Sequence, residues 1–283
     1  MRLANLTDRL VILTDGGAID VAAASDGRFG PDPQSVYDVW PEFVAWAGSG
    51  GPGPDAPLTA VDPAALGPAV PRPRQIFAVG LNYRDHTAES GFAQPTDPLI
   101  FTKFPSCLFG PAGDIVLSGE QVDWEIELVA VLGRAAYRVS AADAWDHIAG
   151  LAIGQDLSDR AVQMRGTPPQ FSLGKSFPGY GPVGPWLTTV DELADPDQLD
   201  LVCTLNGEQV QVGNTRDMVF PVTELVAYLS GVGPLYPGDL IFTGTPPGVG
   251  MGRRPPRYLA PGDVLESRIA GLGELRHRLV AAS

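Results

Sequence analysis

Val122-Asp-Trp-Glu-Ile-Glu-Leu-Val-Ala-Val-Leu132 is the stretch from which the rest of the chain is read. Ile126, Leu128, Val129 and Val131 are strand formers, and on a strand positions i and i+2 point to one face. Glu125 and Glu127 are such a pair. Two carboxylates held on one face repel each other and cost free energy if buried, so something cationic should sit between them. Asp156, in Gly154-Gln-Asp-Leu-Ser-Asp-Arg160, offers a third carboxylate. Three oxygen ligands without a Cys or His cluster suggest a hard cation, Mg²⁺ or Mn²⁺. The competing reading puts Glu125 and Glu127 in solvent on an edge strand, with Lys175 of Leu173-Gly-Lys-Ser-Phe177 paired to one of them.

Outside this stretch the composition sets limits. The 283 residues suffice for one large domain, or a small one beside a large one. Gly (34) and Pro (28) are frequent but follow no repeat, which implies many turns and short strands. The net charge of −14 disfavours nonspecific binding to nucleic acid or anionic membranes, while leaving a locally cationic site free to take an anionic substrate. Cys107 and Cys203 stand in no metal-type spacing and read as two buried free thiols. The N-terminus lacks the apolar core of a signal peptide and no apolar run reaches membrane-span length, so the expected location is the cytoplasm.

Along the chain, Arg9–Thr14 and Ala18–Ala22 read as strands about an Asp15-Gly-Gly17 turn, and Val36–Ala47 as a helix with Val36, Val39, Trp40, Phe43, Val44 and Ala47 on one face. A Gly/Pro-rich loop follows, so residues 1–70 are expected to form a small N-terminal α+β domain and 71–283 the catalytic one. Ile76–Gly80 is an apolar strand that leads into Leu81-Asn-Tyr-Arg-Asp-His-Thr-Ala-Glu89, where a helical turn would put His86 beside Glu89 as an oriented general base. Leu99–Lys103 is a strand. Ala141–Ala149 is expected as a helix with Ser140 as N-cap and Gly150 past its end, followed by a strand Leu151–Gly154. Asn206-Gly207 marks a hairpin over Leu201–Gln211, Pro221 opens a helix Val222–Ser230, and Leu240–Thr243 and Val264–Ile269 are strands. The glycine-rich run 244–250 lacks the Lys-Ser/Thr ending of a phosphate loop.

From about Arg74 onward the chain resembles the fumarylacetoacetate hydrolase family. The resemblance rests on several blocks matching in order and spacing: Val79-Gly-Leu-Asn-Tyr-Arg-Asp-His86, Asp123-Trp-Glu-Ile-Glu-Leu128, Gln155-Asp-Leu-Ser-Asp-Arg160, Gly174-Lys-Ser-Phe177, Gly184-Pro-Trp186, Asn206-Gly207 and Thr243-Gly-Thr-Pro-Pro-Gly-Val-Gly250. It implies a β-rich α+β roll with few short helices, usually assembled as a homodimer. By position it implies Glu125, Glu127 and Asp156 as ligands of Mg²⁺ or Mn²⁺, and His86 with Glu89 as the base that activates water. Lys175, Gln163 and Arg160 would stabilise developing negative charge, and Thr245, Gly244, Lys103 and Tyr83 would contact the substrate. Larger members carry a further Asp ligand where this chain has Val79, so the likeness is to the smaller bacterial and mitochondrial branch, in which water completes the metal's shell.

What the resemblance implies chemically is hydrolysis of a C–C bond in a 2,4-dioxo acid such as an acylpyruvate or fumarylpyruvate, in the catabolism of aromatic compounds or sugar acids. Oxaloacetate decarboxylation and isomerisation of a 2-hydroxy-dienoate are alternatives on the same residues, and a non-catalytic binding protein is the alternative of another class. Segments 85–95 and 162–181 are expected to close over the substrate, with Phe92, Met164, Phe171 and Tyr180 toward an apolar tail.

Overall fold

The computed structural model describes residues 1–84 and 95–282. The apolar run after Glu125 becomes the centre of a mixed sheet. In spatial order that sheet runs β3 (Gly17–Asp20), β2 (Arg9–Thr14), β1 (Arg2–Leu6), β13 (Gly181–Thr188), β11 (Ile148–Gln155), β10 (Ile126–Leu132), β16 (Leu240–Phe242), β5 (Ile76–Gly80) and β6 (Leu99–Thr102). Two short strands attach at its side, β4 (Leu66–Gly67) to β1 and β7 (Leu108–Phe109) to β13. Every residue of β10 is buried because it has cores on both faces. Ile126, Leu128, Ala130 and Leu132 enter one apolar cluster, and Val129 and Val131 enter another. Each of the Ile, Leu and Val side chains among these contributes roughly 1.5–3 kcal/mol on burial.

A second sheet of β15 (Glu208–Asn214), β14 (Asp200–Leu205), β17 (Val264–Ile269), β18 (Gly273–Val280) and β8 (Ala112–Val116) supplies Leu201, Cys203, Leu265 and Leu275 to the first of those clusters. The short strands β9 (Val122–Asp123) and β12 (Ser158–Asp159) pair with each other beside the acidic segment. The architecture is α+β and β-rich. Its longest helix among the described residues is Val222–Val232, and none is long and apolar enough to cross a membrane. Both cysteines are buried and free.

Residues 1–70, read from sequence as a small domain, add β1–β4 to the principal sheet through the antiparallel pairing of β1 with β13. Phe29, Val36, Trp40 and Phe43 share an apolar cluster with Val129, Val131 and Phe242 of the central strands.

Three local expectations are corrected. The segment 141–149 is not an α-helix closed by Gly150. It is a 3₁₀ helix, Ala141–His147, and Ile148–Gly150 already belong to β11. Ser140 makes no cap bond, and its hydroxyl donates to the Asp143 carboxylate instead. Gly150 is needed for close approach of strands, since a Cβ there would run into the Thr188 carbonyl of β13. The predicted helix 36–47 divides into a 3₁₀ turn, Ser35–Val39, and a helix, Trp40–Gly48, that Pro41 opens near its first position. This turns Val39 and Val44 to solvent and keeps Val36, Trp40 and Phe43 inside. The helix expected over Val222–Ser230 runs on through Gly231 to Val232 and closes at Gly233.

Candidate metal centre

The antiparallel register of β10 and β11 builds the centre. Ile126 pairs with Gln155 and Glu127 with Gly154, and the ladder continues past the strand ends as the Asp156 amide donates to the Glu125 carbonyl at 2.9 Å. Glu125 and Asp156 are thereby fixed side by side. Gly154, opposite Glu127, leaves room for the packing beneath: a Cβ there would lie 2.5 Å from Val129 and 2.7 Å from Phe242. Glu125, Glu127 and Asp156 are all buried and bring one ligand oxygen each to within 4.8 Å of one another. The solvent-exposed alternative for the two glutamates is thus excluded.

Cations hold most of this charge. The Lys175 ammonium donates to Glu125 Oε2 at 2.8 Å and to Asp156 Oδ2 at 2.6 Å. Lys103 Nζ donates to Asp156 Oδ1 at 2.7 Å, to the Tyr180 carbonyl at 3.0 Å and to the Lys175 carbonyl. Arg160 reaches Glu125 Oε1 at 2.7 Å and Asp123 Oδ2 at 2.8 Å, and its Nη1 donates to Gln163 Oε1 at 2.8 Å. Burial alone would lower the Lys175 ammonium, but Asp156 and Glu125 outweigh it and hold Lys175 above its ordinary value.

Glu127 is different. Among the described residues it forms no ion pair, and its Oε2 accepts the Gly244 amide at 2.8 Å. Burial, then Asp156 and Glu125, push its carboxyl well above the usual carboxylate range. A divalent cation among the three oxygens would reverse that shift, because it neutralises the charge that burial penalises. The donor set, all carboxylate oxygen, suits Mg²⁺ or Mn²⁺ and fits the group expected there.

A cavity of about 440 Å³ opens beside Glu125 of the triad. Of the residues expected at the site, Glu125, Arg160, Gln163, Lys175 and Thr245 line it, as do Met164 and Phe171. Thr245 Oγ1 donates to the Ile126 carbonyl and accepts from Gln211 Nε2, both at 2.8 Å. Gly244 serves the centre through its amide bond to Glu127. Lys103 is expected at the substrate but lies behind Asp156, fully enclosed, and supports a ligand instead. Tyr83 is likewise buried, and its ring is absent from the cavity wall. Tyr180, expected toward a substrate tail, is buried with its hydroxyl beside Ser118. His86, Glu89 and Phe92 lie outside the described residues.

Sequence reasoning assigned no role to Asp123, Gln155 or Gln211. Asp123 binds Arg160 and also accepts the amides of Trp124, Gly250 and Met251. Gln155 Oε1 accepts the Glu125 amide and Gln211 Oε1 the Ile126 amide, each at 3.0 Å. Asp123 had a signal in its place two residues before Glu125. Gln155 had one in its place directly before Asp156, whereas Gln211 had none, because its partner lies 85 positions away.

Known proteins resemble this chain in sequence and in fold. The family model for the fumarylacetoacetate (FAA) hydrolase C-terminal region matches residues 75–280. Human oxaloacetate tautomerase FAHD2A, a mitochondrial protein, is 44% identical over 213 residues, which cover 75% of this chain and 68% of that one. A Mycobacterium smegmatis protein bearing the HpcE name superposes with a TM-score of 0.93 at 51% identity, with both chains fully covered. The maleylpyruvate hydrolase of Sphingobium sp. SYK-6, solved in complex with manganese(II) ion and pyruvate, gives a TM-score of 0.80 at 30% identity, again over both whole chains.

Proposed function

The chain belongs to the fumarylacetoacetate hydrolase family, and from that premise we propose that it is an Mg²⁺- or Mn²⁺-dependent enzyme that carries a 2-oxo acid through its enolate, cleaving the C–C bond of a 2,4-dioxo acid. The observation that carries this reading is the buried Glu125–Glu127–Asp156 cluster, with Glu127 in no ion pair among the described residues, beside a cavity lined by Glu125, Lys175, Arg160 and Gln163. A divalent cation bound there would act as a Lewis acid toward the 2-oxo and carboxylate oxygens. The remaining steps fall to the chain's own groups.

Lys175, fixed by two carboxylates, keeps its proton and presents positive charge where the substrate's enolate develops. Gln163, oriented by Arg160, adds an amide donor on the same wall. In hydrolysis, water adds at C4, the C3–C4 bond breaks, and its electron pair stays on C3 as the enolate of pyruvate. Protonation at C3 then yields pyruvate and the acid derived from C4. His86 with Glu89 is the proposed base that takes the water proton.

A second reading is a proton shift without cleavage, interconverting the enol and keto forms of a 2-oxo diacid. The 44% identity to an oxaloacetate tautomerase favours it, and it needs the same enolate-stabilising wall but no water attack. Turnover of acetylpyruvate and oxaloacetate with Mg²⁺, with Mn²⁺ and with chelator, in ¹⁸O-labelled water, tests both. The hydrolase reading expects metal-dependent acetate carrying the label. Metal-dependent loss of enol absorbance without a new acid would move the assignment to the tautomerase, and no metal-dependent change on any 2-oxo acid would overturn both.

A further inference from the structure

Around the cavity the charges are unevenly used. At its floor, Arg160 and Lys175 are already paired with Asp123, Glu125 and Asp156. Much of the remaining lining is apolar, with Leu99, Phe101, Met164, Phe171 and Val249. Arg254, exposed, also lines the cavity. Among the described residues its guanidinium has no carboxylate partner, and its Nη1 donates only to the Arg253 carbonyl at 3.2 Å. Its neighbours in sequence are engaged elsewhere. Arg257 pairs with Glu208 at 2.6 Å, and Arg253 lies near the same carboxylate while it covers the Trp124 ring.

The segment that carries Arg254 is also anchored to the metal centre. Asp123 Oδ1 accepts the Gly250 amide at 2.7 Å and Oδ2 the Met251 amide at 3.0 Å, while the same carboxylate binds Arg160. The Arg257 amide closes the loop on the Gly250 carbonyl at 3.0 Å, and the Leu259 amide ties it to Val122 at 2.8 Å. The position of Arg254 on the cavity is therefore set by the residues that set the floor.

We propose that Arg254 is a specificity-determining residue that receives a second anionic group, a carboxylate at the far end of a 2-oxo acid whose head lies at the Glu125–Glu127–Asp156 floor. This rests on the 2-oxo acid reading above and narrows its substrate class to diacids. A guanidinium suits the task because it binds a carboxylate through two parallel N–H donors. The apolar lining accommodates the connecting carbons without competing for the charge.

The test compares matched acids on the full chain loaded with Mn²⁺: 2-oxoglutarate against 2-oxopentanoate, with calorimetric dissociation constants for each, repeated with chelator. The expected result is a preference of about tenfold for the diacid, the scale of one charge-assisted contact. Arg254→Gln removes that preference, Arg254→Lys retains part of it, and added salt weakens it in the wild type. A wild type without preference, or an Arg254→Gln protein that keeps it, overturns the inference while metal-dependent binding of 2-oxopentanoate leaves the 2-oxo acid reading standing. If neither acid binds more tightly with Mn²⁺ than with chelator, that reading fails and takes the inference with it.

Discussion

Lys175 shows how much of the centre hangs on single residues. Its ammonium is shared by Glu125 and Asp156 in a buried setting, so Lys175→Met leaves Glu125 with Arg160 and Asp156 with Lys103, each one cation short where water cannot solvate the difference. Removing one partner of a buried ion pair costs about 3–5 kcal/mol, and we expect that loss in urea denaturation, with turnover reduced by about a hundredfold or more as the enolate loses its donor. Unchanged stability would contradict the buried network. His277, on β18, makes a different prediction. Burial pushes its imidazole down to about 4, and its ring Nε2 faces the Gly110 carbonyl at 2.9 Å. A base with a folded pKa below its unfolded one takes up its proton first in the unfolded chain, so stability is full above the unfolded value near 6.5 and falls as pH drops toward 4. At about 1.4 kcal/mol per pKa unit the group accounts for roughly 3 kcal/mol of acid sensitivity. His277→Gln should flatten the fall in unfolding free energy between pH 7 and pH 4.5, and an identical slope in the variant would refute the assignment. The triad and Lys175 were legible from sequence because spacing and motif order point to them. Lys103 was misplaced because its end-of-strand position looks like a substrate contact, and only the fold shows Asp156 and two carbonyls enclosing it.

At the scale of elements, what was legible is what is local. The Asn206-Gly207 hairpin reads correctly because both residues adopt positive φ, 54° and 80°, as that turn requires. The start of β11 was misread for the opposite reason. Gly150 looks like a helix terminator, but its function is to let β13 approach, and nothing within ten residues announces that. Gly150→Ala should therefore force β11 and β13 apart and lower stability by about 1–3 kcal/mol, the range for an overpacked interior. Urea midpoints compare it with Gly207→Ala, where a Cβ meets nothing within 4 Å and the cost comes only from the positive φ. A neutral Gly150→Ala would mean the two strands are not held this closely.

Across the whole molecule, the site is assembled from segments that are far apart in sequence. Lys103 and Asp156 are 53 positions apart, and Gln211 reaches Ile126 across 85. Such contacts depend on which strands become neighbours, a choice that motif spacing does not encode, and this is why the carboxylate cluster was legible but the residues that support it were not. Every described residue lining the cavity lies at Val79 or beyond, so the β1–β4 region reaches the site only through the shared sheet and core. Net charge is equally uninformative about the site, since a chain of −14 buries three cations around its acidic cluster. The proposed centre depends on Glu127, the buried carboxylate that forms no ion pair among the described residues. The measurement that bears on it most directly is Mn²⁺ titration of the wild type and of Glu127→Gln at neutral pH, followed by calorimetry and by the electron paramagnetic resonance of free Mn²⁺. One site per chain in the wild type, weakened by about a hundredfold or more in the variant, is the predicted result, since losing a group that merely orients a metal ligand already costs about 10–100-fold and Glu127 is proposed to bind the ion itself. Equal affinity in the two proteins would contradict a metal centre at Glu125, Glu127 and Asp156.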